Sequence, residues 1–287
     1  MSQRISAQVI ASSMNEDGVV LTTIQACYPR FIHGEVMTHR VFSRNAMSSR
    51  AVPVAKMIEQ VRNDPAMSVH WGANQPGMQA KMQVERIDAA IAEWRLAAKQ
   101  AAQRAEAMQY LGLHKQVANR VLEPYQWMHT IITSSKWGNF FELRDHDDAE
   151  PNIRELAIQT KEAMASTTPV TRGPIRHESD KTDPGRWHLP YVSSEERSFY
   201  PVSVLRKLSA ARCARVSYLT HDGANPDVDK DVALYDRLVG SKPLHASPIE
   251  HQARPLSTFG EAKFLQGNFH GWAQFRKMVE LDTEESR

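Results

Sequence analysis

Between positions 30 and 50 the chain carries four arginines (Arg30, Arg40, Arg44, Arg50), two histidines (His33, His39) and a single acid, Glu35. Ser43, Asn45, Ser48 and Ser49 lie among them and supply hydroxyls, an amide and backbone N–H groups. This mixture suits an anion, phosphate above all. Arginine offers a charge-assisted fork, and serine or backbone donors fill the remaining oxygens. A solvated basic loop has a similar composition, but Val36, Met37, Val41, Phe42 and Met47 are interleaved with the cluster and argue for partial burial. A buried guanidinium needs an anionic partner. With one acid nearby, the sequence predicts an anion-binding site.

Other chemistries find less support. No Gly-x-Gly-x-x-Gly follows a strand and no P-loop is present, which argues against a Rossmann dinucleotide site or a triphosphate-binding loop. His245, Glu250 and His251 have the residue types of a zinc set, but Pro248 breaks the run and the His-Glu-x-x-His spacing is missing, so no metal is expected. Cys27 directly follows an apolar strand and reads as a buried structural thiol rather than a nucleophile. It and Cys213 give no disulfide framework and fit a reducing cytoplasm. A formal charge of +2 is too small for nucleic-acid binding by the whole surface. No stretch approaches the apolar length of a membrane span, and the N-terminus lacks an apolar signal region. A soluble cytoplasmic protein without membrane or nucleic-acid partners is expected.

The elements that must position these residues follow from pattern. Val19 to Ala26 is β-branched and reads as a strand ended by Pro29. A helix is expected over Phe31 to Arg40, with breaks at Pro53 and Pro65. Gly72, Pro76 and Gly77 precede a predicted helix from Met78 to Leu111, whose Ile87, Ile91, Trp94 and Ala98 recur at helical spacing. A short helix over His114 to Leu122 stops before Pro124, and Tyr125 to Thr133 has strand character. Ser134 or Ser135 is the expected cap of a helix reaching Arg144, and Glu150 to Ala165 is another helix. Ser166 to Pro201, rich in proline, reads as a long covering loop. Helices over Val204 to Cys213 and Val228 to Leu238 follow, then a loop from His245 to Pro255. The expectation is an α+β chain with one catalytic domain over 1–287, its blocks at 19–55, 78–122, 125–165 and 204–255.

Thr38-His39-Arg40, followed after seven residues by Ser48, resembles the Arg-His-Arg-x7-Ser signature of the flavin-dependent thymidylate synthases. Ser43-Arg44-Asn45, Ser48-Ser49-Arg50 and the upstream Pro29-Arg30-Phe31-Ile32 extend the likeness. A second block is similar: Ala118-Asn119-Arg120-Val121-Leu122 to the family's Ala-Arg-x-x-Leu-Pro, and Asn139-Phe140-Phe141-Glu142-Leu143-Arg144 to its Asn-Phe-x-x-Leu-Arg helix, with Ile153-Arg154 beyond. A third, Ala214-Arg215-Val216-Ser217-Tyr218 with His245-Ala246-Ser247-Pro248-Ile249-Glu250-His251, resembles elements that precede the signature in the usual family order. Here they come near the C-terminus. The chain therefore reads as a permutation-like member, an arrangement that would suit a phage-encoded protein in a host cytoplasm.

The resemblance implies the mixed α+β family fold and reductive methylation of dUMP, with methylenetetrahydrofolate as one-carbon donor, FAD as hydride carrier and NADPH as reductant. It places Glu35, Ser48, Ser49, Arg50 and Arg120 on the substrate, the serines, Arg50 and Arg120 toward its phosphate. Arg144 would be the catalytic residue against the uracil, favouring its N3-ionised form. Thr38, His39, Arg40, Asn45, Asn139, Ser217, His245, Ser247 and Glu250 would surround the flavin, and a homotetramer is implied. Four departures stand out: Thr38 replaces the first arginine, Ala46 replaces an acid, the proline expected after Leu122 is displaced to Pro124, and Ser134-Ser135-Lys136 replaces Asn-x-Arg-Ser. They leave open C5 hydroxymethylation or another modification of dUMP or dCMP for viral DNA, and a non-catalytic nucleotide- or nucleic-acid-binding relative.

Overall fold

Ser6–Met14 (β1) and Val20–Pro29 (β2) form an antiparallel hairpin, Ser6 opposite Cys27 and Met14 opposite Val20. Its turn closes on Asn15, whose side chain accepts from the Val19 N–H at 2.8 Å, and on Gly18, which supplies a φ of 76°. Ser43–Ala46 (β3), Trp127–Ser134 (β4) and Val170–Thr171 (β5) complete a five-stranded sheet in the order β3-β4-β2-β1-β5. Only β5 runs parallel to its neighbour. The computed structural model describes residues 4–216, 227–258, 260–261 and 263–285.

β2 and β4 are buried almost throughout, so their sequences read as apolar and threonine-rich runs rather than clean alternations. Period two still decides which face each side chain serves. Ile24, Ala26, Tyr28 and Ile132 face one helical layer, whereas Leu21 and Ile131 face the C-terminal part of the chain.

In chain order the helices are His33–Val36 (α1), Val54–Asn63 (α2), Ile87–Tyr110 (α3), Lys115–Ala118 (α4), Gly138–Arg144 (α5) and Pro151–Ala165 (α6). Ser194–Phe199 (α7), Val202–Arg215 (α8), Val228–Val239 (α9) and Phe275–Glu285 (α10) follow, with a small ribbon of Ala253–Pro255 (β6) and Trp272–Gln274 (β7) before the last. Met57, Ile58 and Val61 of α2, Ala98, Ala102 and Ala105 of α3, and Ile153, Leu156 and Ala157 of α6 cover the first face. The α3 alanines recur at four and three, and their small side chains let the helix axis lie close. Glu150 caps α6 by accepting from the N–H groups of Asn152 and Ile153. No helix among the described residues is long and apolar enough to cross a membrane.

Several elements differ from expectation. The helix predicted over Phe31 to Arg40 is a 3-10 turn, Arg30–Ile32, followed by α1 alone. Arg44 ends it, donating from Nη1 to the carbonyls of Val36, Met37 and His39. The long helix begins at Ile87 rather than Met78. Residues 71–84 instead fold back on themselves, with Ala73 N–H donating to Met82 and Val84 N–H to Trp71. At Gly72 a Cβ would meet the Ala80 Cβ at 2.3 Å, which accounts for the glycine. The break at Pro53 is the start of α2, and the helix expected to Leu122 is α4 continued by a 3-10 stretch, Asn119–Tyr125. α5 is capped at Trp137 with no side-chain cap bond, not at Ser134 or Ser135. The supposed covering loop after Ser166 holds β5, α7 with its Ser193–Glu196 capping box, and the buried Trp187, His188 and Leu189.

The two layers are tied through the sheet. Thr23 and Thr133, register partners on β2 and β4, share a hydroxyl contact of 2.7 Å. His188 Nε2 meets Thr23 Oγ1 at 2.8 Å and His251 Nδ1 meets Thr133 Oγ1 at 2.8 Å. Burial holds His188 well below the usual imidazole range and His251 at about 3; burial, then Arg30 and Arg44, hold His33 at about 4. All three are neutral when folded and take up protons on unfolding below the ordinary value of about 6.5. Their contribution to stability is complete above that pH and is lost as pH falls toward about 4. Urea unfolding between pH 7.5 and 5.0 is expected to show stability falling by up to about 1.4 kcal/mol per pH unit for each histidine. A flat profile over that interval would contradict the neutral assignment.

Candidate active site

Arg144 is the last residue of α5, where a cation complements the helix dipole. Phe140 anchors the helix against Phe42 and Trp137. The guanidinium then reaches the turn after α1 and is held there on three sides. Its Nε donates to His39 Nε2 at 3.0 Å, its Nη2 to Thr38 Oγ1 at 3.1 Å, and its Nη1 lies 3.6 Å from Glu35 Oε2. Glu35, Thr38, His39 and Arg144 are therefore one constellation, assembled across more than a hundred residues of sequence.

His39 is buried, stacked on Phe42 and met edge-on by Phe140. Burial first, then Arg144 and Arg44, lower its pKa. A neutral ring that accepts at Nε2 carries its proton on Nδ1. Glu35 is shifted the other way: burial and Glu150 raise its pKa, while Arg144 opposes them. Thr38, though uncharged, contributes by accepting from Arg144 and donating to the Glu35 carbonyl. Glu35 also lines a cleft of about 990 Å³ with His70, Ala80, Lys81, Glu150 and Arg154.

A second grouping joins the signature to the late block. The Asn45 side chain donates to the Cys213 carbonyl at 2.7 Å, and the Ser247 hydroxyl donates to Asn45 Oδ1 at 3.4 Å. Gln274 bridges Ser43 and the Glu250 carbonyl. The Glu250 carboxylate pairs with Arg276, and burial raises its pKa. His245 is exposed, while His251 is buried on Thr133, so the two histidines serve different environments. Arg40 and Asn139 are exposed, and Ser217 lies outside the described residues.

The third grouping is the anticipated phosphate end. Ser49 is buried, and its hydroxyl donates to Glu123 Oε1 at 3.0 Å. Arg120 Nη1 and Arg30 Nη2 reach the same oxygen, each at 2.8 Å. Asn119 fixes the loop by donating to the carbonyls of Ser49 and Val52. Ser48 Oγ accepts from the Arg50 N–H, and the Arg50 side chain is exposed. Sequence reasoning missed Glu123 and Asn119 as members. The available signal was Glu123 itself, an acid standing where the resemblance expects proline. Cys27 is buried, and burial pushes its thiol up to about 12, which leaves it inert at neutral pH. Among the described residues no group of three or more His, Cys, Asp or Glu side chains is arranged to hold a metal ion.

The thymidylate synthase complementing protein family matches residues 18–170, just over half of the chain. The chain belongs to this family, that of the flavin-dependent thymidylate synthases. The matched span contains the arginine signature, Arg120 and Arg144; the late block lies beyond it. This family member also resembles two solved structures of the UMP/dUMP methylase PolB from Streptomyces cacaoi. The one bound with 5-Br dUMP has a TM-score of 0.47 and 16% identity, covering 57% of this chain and 91% of that one. The one bound with 5-Br UMP has a TM-score of 0.45 at 16% identity, with 57% and 90% covered. No curated protein sequence matches.

The Arg144–His39 bond has a direct spectroscopic consequence. In Arg144→Ala, His39 should titrate at a higher pH than in the wild type, because a neighbouring positive charge is gone. Its Nε2 should also lose the acceptor signature in ¹⁵N NMR. An unmoved titration would place Arg144 away from the ring in solution.

Proposed function

We propose that this chain catalyses reductive C5 methylation of dUMP to dTMP, with methylenetetrahydrofolate as one-carbon donor, FAD as hydride carrier and NADPH as reductant. Family membership supports the reaction class, and the observation that carries the site is the convergence of Glu35, Thr38 and His39 on Arg144. Arg144 directs a positioned guanidinium toward the uracil, where it stabilises negative charge at N3 and raises electron density at C5. This dispenses with a cysteine nucleophile, in keeping with the inert Cys27.

The fit to a flavin rests on the donors left facing outward. Arg40, Asn139, His245 and Ser247 are exposed, and the Ser247 hydroxyl also meets Asn45 Oδ1, which ties the late block to the signature. A cation, amides and hydroxyls of this kind suit a diphosphate and an isoalloxazine edge. Thr38, His39, Glu250 and Ser217 complete the proposed flavin set. When bound, FAD supplies the hydride chemistry; the side chains bind and orient it. On the substrate side, Ser48, Ser49, Arg50 and Arg120 take the phosphate and Glu35 lies beside the base. Met37 and Leu143, which directly precede Thr38 and Arg144 in sequence, and Val41 nearby are exposed apolar residues. Their exposure supports closure of the site by another copy of the chain in a homotetramer. Thr38 and Ala46, uncharged where the family keeps charge, favour a second reading, C5 hydroxymethylation or a related modification of dUMP or dCMP.

The purified protein should be yellow. Incubated with FAD, NADPH, methylenetetrahydrofolate and dUMP or dCMP, it should yield a product whose mass distinguishes methyl from hydroxymethyl gain. Arg144→Ala should lower turnover at least about a hundredfold with flavin absorbance retained. Unchanged turnover would remove Arg144 from its role, and a colourless protein returning only substrate would remove the reaction.

A further inference from the structure

One carboxylate oxygen, Glu123 Oε1, accepts from Arg30 Nη2, Arg120 Nη1 and the Ser49 hydroxyl at 2.8, 2.8 and 3.0 Å. Three donors on one oxygen exceed its two lone pairs, and two guanidinium charges face one carboxylate. The donors are also incompletely used: Arg30 Nη1 is buried with no hydrogen-bond partner. The cradle is built rather than incidental, since the side chains of Arg30 and Glu123 are 15% and 25% exposed and Ser49 is 4% exposed. Asn119 pins the Ser49 carbonyl by donating to it at 2.7 Å.

We propose that Glu123 is an internal stand-in for the substrate's 5′-phosphate, occupying the phosphate cradle until a nucleotide displaces it. A phosphate monoester carries nearly two charges and three strong acceptor oxygens. It can engage both guanidinium groups, the serine hydroxyl and the idle Nη1 together, which a carboxylate cannot. Glu123 can leave, because a quarter of its side chain reaches solvent and Arg120, 56% exposed, can follow the incoming anion. The contact lowers affinity for phosphorylated ligands and keeps two like charges from facing each other in the empty site. The inference rests on the proposed nucleotide site, with Ser49 and Arg120 at its phosphate end.

Titration calorimetry of the full chain and of Glu123→Gln with dUMP, deoxyuridine and inorganic phosphate tests it. Glu123→Gln should bind dUMP and phosphate about tenfold more tightly, the equivalent of one charge-assisted hydrogen bond, with deoxyuridine unchanged. Adding Arg120→Ala should abolish the gain. Equal or weaker binding of both anions by folded Glu123→Gln would overturn the proposal and make Glu123 a permanent brace. If neither chain bound dUMP but the variant still gained phosphate affinity, the nucleotide reading would fail and the stand-in would survive. Should Glu123→Gln not fold, Glu123→Asp, which withdraws the carboxylate by one methylene, must show the same direction of change.

Discussion

The fold depends on satisfying two hydroxyls in the middle of a sheet covered on both sides. Thr23 and Thr133 face the C-terminal layer from adjacent central strands, beyond the reach of water. Leaving them unpaired would cost about 1–3 kcal/mol each. They are paired by His188 and His251, which arrive from parts of the chain far apart in sequence. Fixing His251 also fixes Glu250 before it and Gln252 after it. From there Gln274 spans to Ser43 and Ser247 spans to Asn45. The late block thus reaches the arginine signature because a polar demand inside the sheet leaves it one favourable seat.

The arginines in and around the site meet the need for an electronegative partner in three different ways. Arg44 satisfies its guanidinium with backbone carbonyls and shapes the turn. Arg144 relies on a neutral imidazole, a hydroxyl and a more distant carboxylate, a set that leaves its charge largely uncompensated. Arg30 shares a carboxylate with Arg120. Burial next to oxygen atoms does not always mean an external ligand, and only the weakly compensated guanidinium groups remain candidates for one.

Much of this was legible in the sequence, and the failures have identifiable causes. β2, α6, α8 and α9 were visible because strand and helix periodicity agreed with their flanking cap and break residues. The resemblance named Glu35, Thr38, His39 and Arg144 as site residues but not their mutual contacts, since nothing local to Thr38 announces a partner at Arg144. The over-extended helix from Met78 failed because Ala, Gln and Lys suit a helix, whereas the fold-back of residues 71–84 is set by a steric approach at Gly72 that propensity does not encode. α2 is hidden behind Pro53, because proline marks a break in the pattern yet is equally at home at a helix start. Glu123 was passed over because its partners Arg30 and Ser49 are distant in sequence.

The position of the late block also sets the order in which the molecule becomes complete. Asn45 and Ser247 are separated by 202 residues and Ser43 and Gln274 by 231. On a chain emerging from the ribosome, the strand carrying Asn45 is made long before its partners. Until then the face of β2 and β4 that carries Leu21, Thr23, Ile131 and Thr133 is uncovered, and exposed strand surface of this kind aggregates or recruits chaperones. The hazard therefore lasts for the whole interval in which the late block is still to be made.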